Sequence, residues 1–394
     1  MTRPDPDEGQ LAAQRLEALL RRCLETDASD IHLSDGVPPY FRVHGLLEPQ
    51  PDAEPLDEFE IRRIAELLIA PRDPQLLDPP GSVDGAIDGP EGSRFRFNVY
   101  RTAGSHSIAL RKLESRFRTL AELGLPDELY ELADLPDGLV IVAGPTGAGK
   151  STTLATLIDR VNRSRLGHVI TIEDPIEYVH RPVKALVDQR QIGVDANDFG
   201  EALVASLRQD PDVILVGEVR EIETIRTAIT ASETGHLVFT TVHAGDSVGV
   251  IERLVSVFPA DEQHGIRRQL ALVLKAIVCQ HLVVADGPGS RHETPETRRK
   301  RVVISEILRV TPAVANLIAG GKSAQIYSAM EAGGQLGMRT LEQDLAKKVV
   351  GGHLTEATAG AFARNPGVLA DRIAALRGSS IRPLPSSVRP GVRR

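Results

Sequence analysis

Hydrophobic positions along this chain recur in two regimes, with the change near Thr119. In the first, Leu16, Leu19, Leu20, Cys23 and Leu24 fall on one helical face. Ile61, Ile64, Leu67 and Leu68 mark the inward face of a second helix starting at about Asp57. Between them, Ile31-His32-Leu33 and Tyr40-Phe41-Arg42-Val43 have the short β-branched and aromatic character of strands. Strict alternation follows, with Phe95, Phe97 and Val99 set against Arg94, Arg96 and Asn98. A second alternating run sets Ile108 and Leu110 against Ala109 and Arg111, and the turn-like Thr102-Ala103-Gly104-Ser105 separates the two. Together they predict a hairpin with Arg96 and Arg111 both projecting from the face opposite the apolar one. Two solvated arginines on an exposed sheet face is the ordinary reading of that arrangement.

From Thr119 onward, short fully apolar runs alternate with helical periodicity, which predicts an α/β domain with a mostly parallel sheet. The runs are Leu139-Val140-Ile141-Val142-Ala143, Val169-Ile170-Thr171-Ile172, Val213-Ile214-Leu215-Val216 and Leu237-Val238-Phe239-Thr240. Ile222, Ile225 and Ile229 mark a helix between the last two. Polar residues collect just past each run: Glu173-Asp174-Pro175, Gly217-Glu218 and Val242-His243. In open α/β sheets, ligands bind outside the carboxyl ends of the strands.

Past the first of these runs lies GPTGAGKS, comprising Gly144, Pro145, Thr146, Gly147, Ala148, Gly149, Lys150 and Ser151. This is the G-x-x-x-x-G-K-[ST] phosphate loop in its required context, strand before and helix after, with Thr152 opening the helix carrying Leu154, Leu157, Ile158 and Val161. The glycines let consecutive backbone N–H groups face phosphate oxygens, and the helix N-terminus adds partial positive charge. Lys150 is placed to reach the β- and γ-phosphates of ATP, and the hydroxyl of Ser151 to sit on Mg²⁺.

Composition narrows the class further. The chain has 394 residues, enough for two or three domains, with 41% apolar and 25% charged residues as in globular proteins. A net charge of −8 argues against nucleic acid as a partner. Cys23 and Cys279 form no metal-binding or disulfide pattern, which fits a reducing cytoplasm. The first residues, MTRPDPDEGQ, contain no apolar signal core, and apolar stretches break well before the ~20 residues of a membrane span, so no membrane insertion is expected. Residues Ala285 to Lys300 read as a long surface loop, and the Pro-, Ser- and Arg-rich tail as disordered.

Hydrolysis requires a metal and a group that orients water. Glu218, past a fully apolar strand, falls beside the metal and γ-phosphate; its bland alternative is a first-turn acid ahead of the next helix. Glu173, Asp174 and Glu177 cluster around Pro175, where their mutual repulsion calls for a cation or water network. His243 ends a strand on the same edge, while His236 is a weaker candidate. Arg208 and Arg220 flank the Glu218 strand, and arginine suits a γ-phosphate reached from a neighbouring subunit. No N-K-x-D guanine-reading motif occurs, which weighs against a GTP switch. A small-molecule kinase or a scaffold that binds nucleotide without turnover shares the loop.

These segments resemble a family. TIEDPIEYVH (Thr171 to His180), LRQDPDVILVGEVRE (Leu207 to Glu221) and TGHLVFTTVHA (Thr234 to Ala244) resemble the acidic, Walker B and histidine boxes of secretion-type ATPases. SDIHLSDGVPPYFRVHG (Ser29 to Gly45) and YSAMEAGGQLGMRTLEQDLAKKVVGGHLT (Tyr327 to Thr355) are similar to type IV pilus retraction ATPases. The resemblance implies a PAS-like N-terminal domain over residues 1–112 and a RecA-like ATPase domain over residues 113–370; composition alone marks residues 371–394 as a basic, disordered tail. It implies a homo-hexamer at the cytoplasmic face of the inner membrane, working on pilin through a platform protein. It also implies Glu177 as general base, Glu218 as Walker B carboxylate, His243 as γ-phosphate contact, and Arg96, Arg111, Arg208 and Arg220 as arginines that close on the nucleotide. Type II secretion, pilus-assembly and DNA-uptake motors share the catalytic set. Three positions depart from the pattern: Val204 for a common arginine, Glu221 for an aspartate, and Ala315 for the arginine of the A-I-R-N-L motif tied to retraction. The four-cysteine zinc site of extension ATPases has no counterpart in two distant cysteines.

Overall fold

A computed structural model describes residues 6–50, 52–70, 74–78, 81–114, 116–290 and 301–379. The N-terminal part begins with α1 (Pro6–Glu25), β1 (Asp30–Leu33), β2 (Tyr40–Val43) and β3 (Leu46–Pro49). It continues with α2 (Glu58–Ile69), β4 (Ser82–Asp88), β5 (Arg94–Thr102) and β6 (Ser105–Leu113). All six strands form one antiparallel sheet in the order β3-β2-β1-β6-β5-β4. The expected hairpin is β5–β6, turning at Ala103 and Gly104, both with positive φ as a twist-matched two-residue turn requires. Its inward residues Phe95, Phe97, Val99, Ile108 and Leu110 pack with Leu16, Leu20, Cys23, Ile61 and Ile64 into one core. Asp57 caps α2 through a capping box with Glu60, so the polar entry and the apolar stripe agree. Leu67, expected to face inward, is instead 36% exposed, because the stripe of α2 is satisfied by Ile61, Ile64, Ala65 and Leu68.

Thr119 opens the second part as the N-cap of α3 (Leu120–Leu123). Then come β7 (Gly138–Ala143), α4 (Lys150–Ser164), β8 (His168–Glu173), β9 (Leu186–Gln191), α5 (Phe199–Ser206) and β10 (Val213–Val216). They are followed by α6 (Ile222–Glu233), β11 (Leu237–Val242), α7 (Ser247–Ser256), α8 (Gln263–Val273), β12 (Leu274–Val284) and β13 (Arg301–Arg309). The last helices are α9 (Pro312–Ala319), α10 (Ile326–Ala332), α11 (Leu341–Val350), α12 (Glu356–Phe362) and α13 (Pro366–Ser379). The sheet order is β13-β12-β7-β11-β10-β8-β9, parallel except for the β12–β13 pair. This is the expected α/β architecture, with separate hydrophobic clusters on the two sheet faces.

One expectation at the C-terminal end needs adjustment. Residues 371–379, read with the disordered tail, continue helix α13, because Leu369 and Ile373 bury against Leu341, Leu345 and Leu354. The remainder of the tail, and residues 291–300 of the expected surface loop, lie outside the described residues. No described helix is long and apolar enough to cross a membrane.

Candidate nucleotide site

Parallel pairing places the ends of β7, β11, β10 and β8 side by side. The register pairs Val242 with Ala143, Val216 with Thr240, and Val216 with Ile172. The segments that follow those residues therefore emerge on one edge: the glycine loop, His243, Glu218 and the acidic segment from Glu173.

The loop's backbone dictates its glycines. Gly144 has φ +149°, and a Cβ there would lie 2.2 Å from the Gln280 carbonyl oxygen. Gly149, with φ +87°, is the N-cap of α4 and supplies no side-chain acceptor, so the first N–H groups of the helix stay available. Pro145, Thr146, Gly147 and Ser151 are exposed, whereas Ala148 and Lys150 are buried. Lys150 folds back so that Nζ donates to the carbonyls of Gly144 and Pro145, each at 3.0 Å. Burial lowers its pKa, while the negative charges of Glu218 and Glu177 pull it back up. The two carboxylates therefore act on the loop lysine from within the same site.

Glu218 is half-buried, with Arg220 Nη2 at 2.7 Å and His243 Nε2 at 3.8 Å. The helix-cap alternative is not what the fold adopts, since the N-cap of α6 is Glu221, which makes no side-chain cap bond. Burial and then Lys150 lower the pKa of His243 from 6.5, against the opposing pull of Glu218. The net effect favours the neutral ring. Its backbone is fixed by Arg253, whose Nη1 donates to the His243 carbonyl at 2.8 Å.

Within the acidic segment, Glu173 and Glu177 differ in what they touch. Glu173 accepts from the Thr171 hydroxyl at 2.7 Å and from Gln189 Nε2 at 3.1 Å, and burial raises its pKa. Gln189 also binds the Tyr178 carbonyl and the His180 N–H, so this pair builds the loop's shape. Glu177 is half-buried, and its side chain makes no hydrogen bond or ion pair among the described residues. Tyr178 Oη donates to Thr152 Oγ1 at 3.1 Å, tying this segment to the first turn of α4.

The remaining arginines are not gathered at the loop within one chain. Arg96 and Arg111 are cross-strand partners on the N-terminal sheet. Their repulsion is relieved by Asp84, 3.7 Å from Arg96, and by Asp30, 2.7 Å from Arg111. Arg208 bonds the Val204 carbonyl at 3.5 Å and touches none of the site's carboxylates among the described residues.

Sequence reasoning missed Gln280. Its Nε2 donates to the Ala148 carbonyl at 2.7 Å and its Oε1 accepts from Thr153 at 3.0 Å, bracing the glycine loop from β12. The signal is one glutamine at the end of the apolar run Ala276-Ile277-Val278-Cys279-Gln280, but the local pattern alone does not pair that run with β7. Arg94, discussed below, was missed because alternation alone marks it as a solvent residue.

The sequence profile of the family described as Type II/IV secretion system protein matches residues 6–360. The type IV pilus retraction ATPase PilT of Pseudomonas aeruginosa is 40% identical over 348 residues, covering 88% of this chain and 98% of its own length. A twitching motility protein of Neisseria gonorrhoeae is 38% identical over 83% of this chain and 84% of its own. A crystal structure of the pilus retraction motor PilT with bound ADP superposes with a TM-score of 0.81 at 38% identity, covering 90% of this chain and 98% of that one. The chain belongs to the Type II/IV secretion system protein family.

Proposed function

We propose that this chain is an ATP-hydrolysing motor that powers type IV pilus retraction. The observation that carries the reading is the single sheet edge where a complete phosphate loop, Glu218, His243 and Glu177, whose side chain has no partner among the described residues, meet. Similarity to PilT over nearly the full length supports the pilus assignment.

In this reading the loop N–H groups and Lys150 bind the β- and γ-phosphates, exchanging the Gly144 and Pro145 carbonyls for phosphate oxygens. The exposed hydroxyl of Ser151 and the carboxylate of Glu218 form an all-oxygen donor set suited to Mg²⁺, which takes one or two protein ligands plus phosphates. When bound, the ion supplies charge neutralisation at the phosphates. Glu177 accepts the proton of the attacking water, and neutral His243 donates to the γ-phosphate. Arg220 holds Glu218 until charge develops on the phosphoryl group. Glu173 supports the loop rather than the chemistry.

Arg96 and Arg111 sit on another sheet, so they meet a nucleotide only when the N-terminal unit closes on an ATPase core. We assign that closure to a homo-hexamer in which hydrolysis and reopening do work on pilin through a platform protein at the cytoplasmic face of the membrane. The six-stranded sheet, with α1 and α2 against it, fits the PAS-like role assigned to that moving unit.

Phosphate release from purified protein with Mg·ATP tests the reading directly. Turnover is expected in the unaltered chain, with Lys150→Ala failing to bind nucleotide and Glu177→Gln binding ATP while losing about 10²-fold or more of kcat. Absence of turnover in the unaltered protein refutes the enzyme, and normal turnover in Glu177→Gln moves the base elsewhere. Filming pili in cells lacking the gene then decides the direction of work, which Ala315 makes worth measuring.

A further inference from the structure

Arg94 stands at the start of β5, in the alternation that would send it to solvent, yet its side chain is only 13% exposed. It is spent on two partners. Nη1 meets Asp88 at 2.6 Å across the β4–β5 ladder, where the two residues are register partners. Nε donates to the carbonyl of Ile176 at 2.9 Å, which belongs to the acidic segment of the other sheet's edge. Ile176 directly precedes Glu177. The same residue is held from its other side, since Ile176 N–H donates to Gln191 Oε1 at 3.3 Å. Gln191 is the last residue of β9 and only 6% exposed, so this second hold is anchored in the ATPase sheet.

Around these contacts the two units do not fill the seam. A cavity of about 230 Å³ runs beside Arg94, between Leu68, Gly85 and Phe97 on one side and Ile176 and Val194 on the other. Close-packed seams leave few such spaces, so here the facing surfaces lack part of the contact that a filled seam would make. A guanidinium spanning such a seam to a backbone carbonyl transmits displacement of one unit to the peptide it grips. That peptide carries the free carboxylate of the site.

We propose that Arg94 is a positioning residue that couples the placement of the N-terminal sheet to the placement of the Glu177 carboxylate in the same chain. This rests on the functional reading above, and it adds a residue outside the phosphate loop and outside the hairpin arginines. When the N-terminal unit is seated, Arg94 and Gln191 together hold Ile176, and Glu177 is held where it can take the proton of the attacking water. When the unit swings away, the Arg94 hold is lost and the carboxylate is no longer fixed. Hydrolysis thereby becomes conditional on the N-terminal unit being seated against its own chain's acidic segment.

Steady-state ATPase kinetics on the full chain test this, with ADP affinity as the folding control. Arg94→Ala is expected to lower kcat about 10- to 100-fold through misplacement of the base, with KM and ADP affinity within about twofold of wild type. Arg94→Lys keeps a donor for the Ile176 carbonyl and is expected to recover most of the loss. An unchanged kcat in Arg94→Ala, a rise in KM with kcat intact, or a lysine variant as impaired as the alanine one overturns the proposal. Should Arg94→Ala fail to bind ADP, Gln191→Leu removes the other hold, and a normal kcat there overturns it equally. Absence of turnover in the unaltered chain overturns the functional reading and this proposal with it. Wild-type turnover with an unimpaired Arg94→Ala overturns this proposal alone.

Discussion

At the scale of residues, the division of labour among acids follows from what each one touches. Glu173 spends its lone pairs on Thr171 and Gln189, while Glu177, four residues on, keeps its own. Asp30 is a third case, buried to 7% exposure beneath the hairpin arginine. Burial alone would raise its pKa, but the Ser29 hydroxyl and the Arg111 guanidinium outweigh that and hold it below 3.8. An acid depressed in the folded state stabilises the fold above its unfolded-state pKa and loses that contribution as pH falls through the folded value. Asp30→Asn should therefore flatten the loss of stability between about pH 5 and about pH 3, measured as denaturant midpoints relative to wild type. Identical pH dependence in the two proteins would show that the Asp30–Arg111 pair contributes nothing. The residue scale was partly legible in advance, because Lys150, Glu218 and His243 are identified by position after a strand. The difference between Glu173 and Glu177 was not, since it depends on Gln189, which comes from a strand the sequence pattern did not reveal.

At the scale of elements, the glycine loop is shaped between α4 and β12. The contact between Gly144 and the Gln280 carbonyl leaves no space for a Cβ, and Gln280 itself closes the other side of the loop through Ala148 and Thr153. Replacing it leaves a buried carbonyl and a buried hydroxyl without these partners, at a cost of roughly 1–3 kcal/mol for each group stranded. Gln280→Leu should accordingly lower the unfolding midpoint and weaken ADP binding together, read by thermal denaturation with and without ADP. If stability drops while ADP affinity holds, the brace is structural only. The phosphate loop was readable because four fixed positions in a strand–loop–helix context state their own geometry. Its brace was not readable, because Gln280 follows Ser151 by more than a hundred residues and only the pairing of β12 with β7 brings it near.

At the scale of the whole molecule, the hairpin arginines make the strongest claim on assembly. Arg96 and Arg111 lie together, balanced by Asp84 and Asp30, on a sheet that none of the site's carboxylates belongs to. If closure crosses protomer boundaries, a chain lacking the loop lysine can still lend its arginines to a neighbour. Lys150→Ala and Arg111→Ala, each inactive alone, should then regain measurable turnover when co-assembled into mixed rings, while each remains inactive by itself. No recovery on mixing, with co-assembly verified by native mass spectrometry, would place arginine and loop in one chain. The loss in Arg111→Ala is expected to be about 10³-fold, the low end for an arginine that meets a γ-phosphate.

The residue pattern alone determined the α/β class of the second part, the antiparallel hairpin of the first, and the phosphate loop, because period, turn chemistry and motif spacing are local properties of the chain. The family followed from the ordered boxes between Thr171 and Ala244. Tertiary structure decided what local patterns cannot carry. Parallel register brought four strand ends to one edge, long-range partners engaged Glu173 but, among the described residues, not Glu177, and a seam between two sheets turned Arg94 inward. Side-chain alternation records which face of a strand a residue occupies, but only the packing of one sheet against another fixes whether that face meets water or a neighbouring loop.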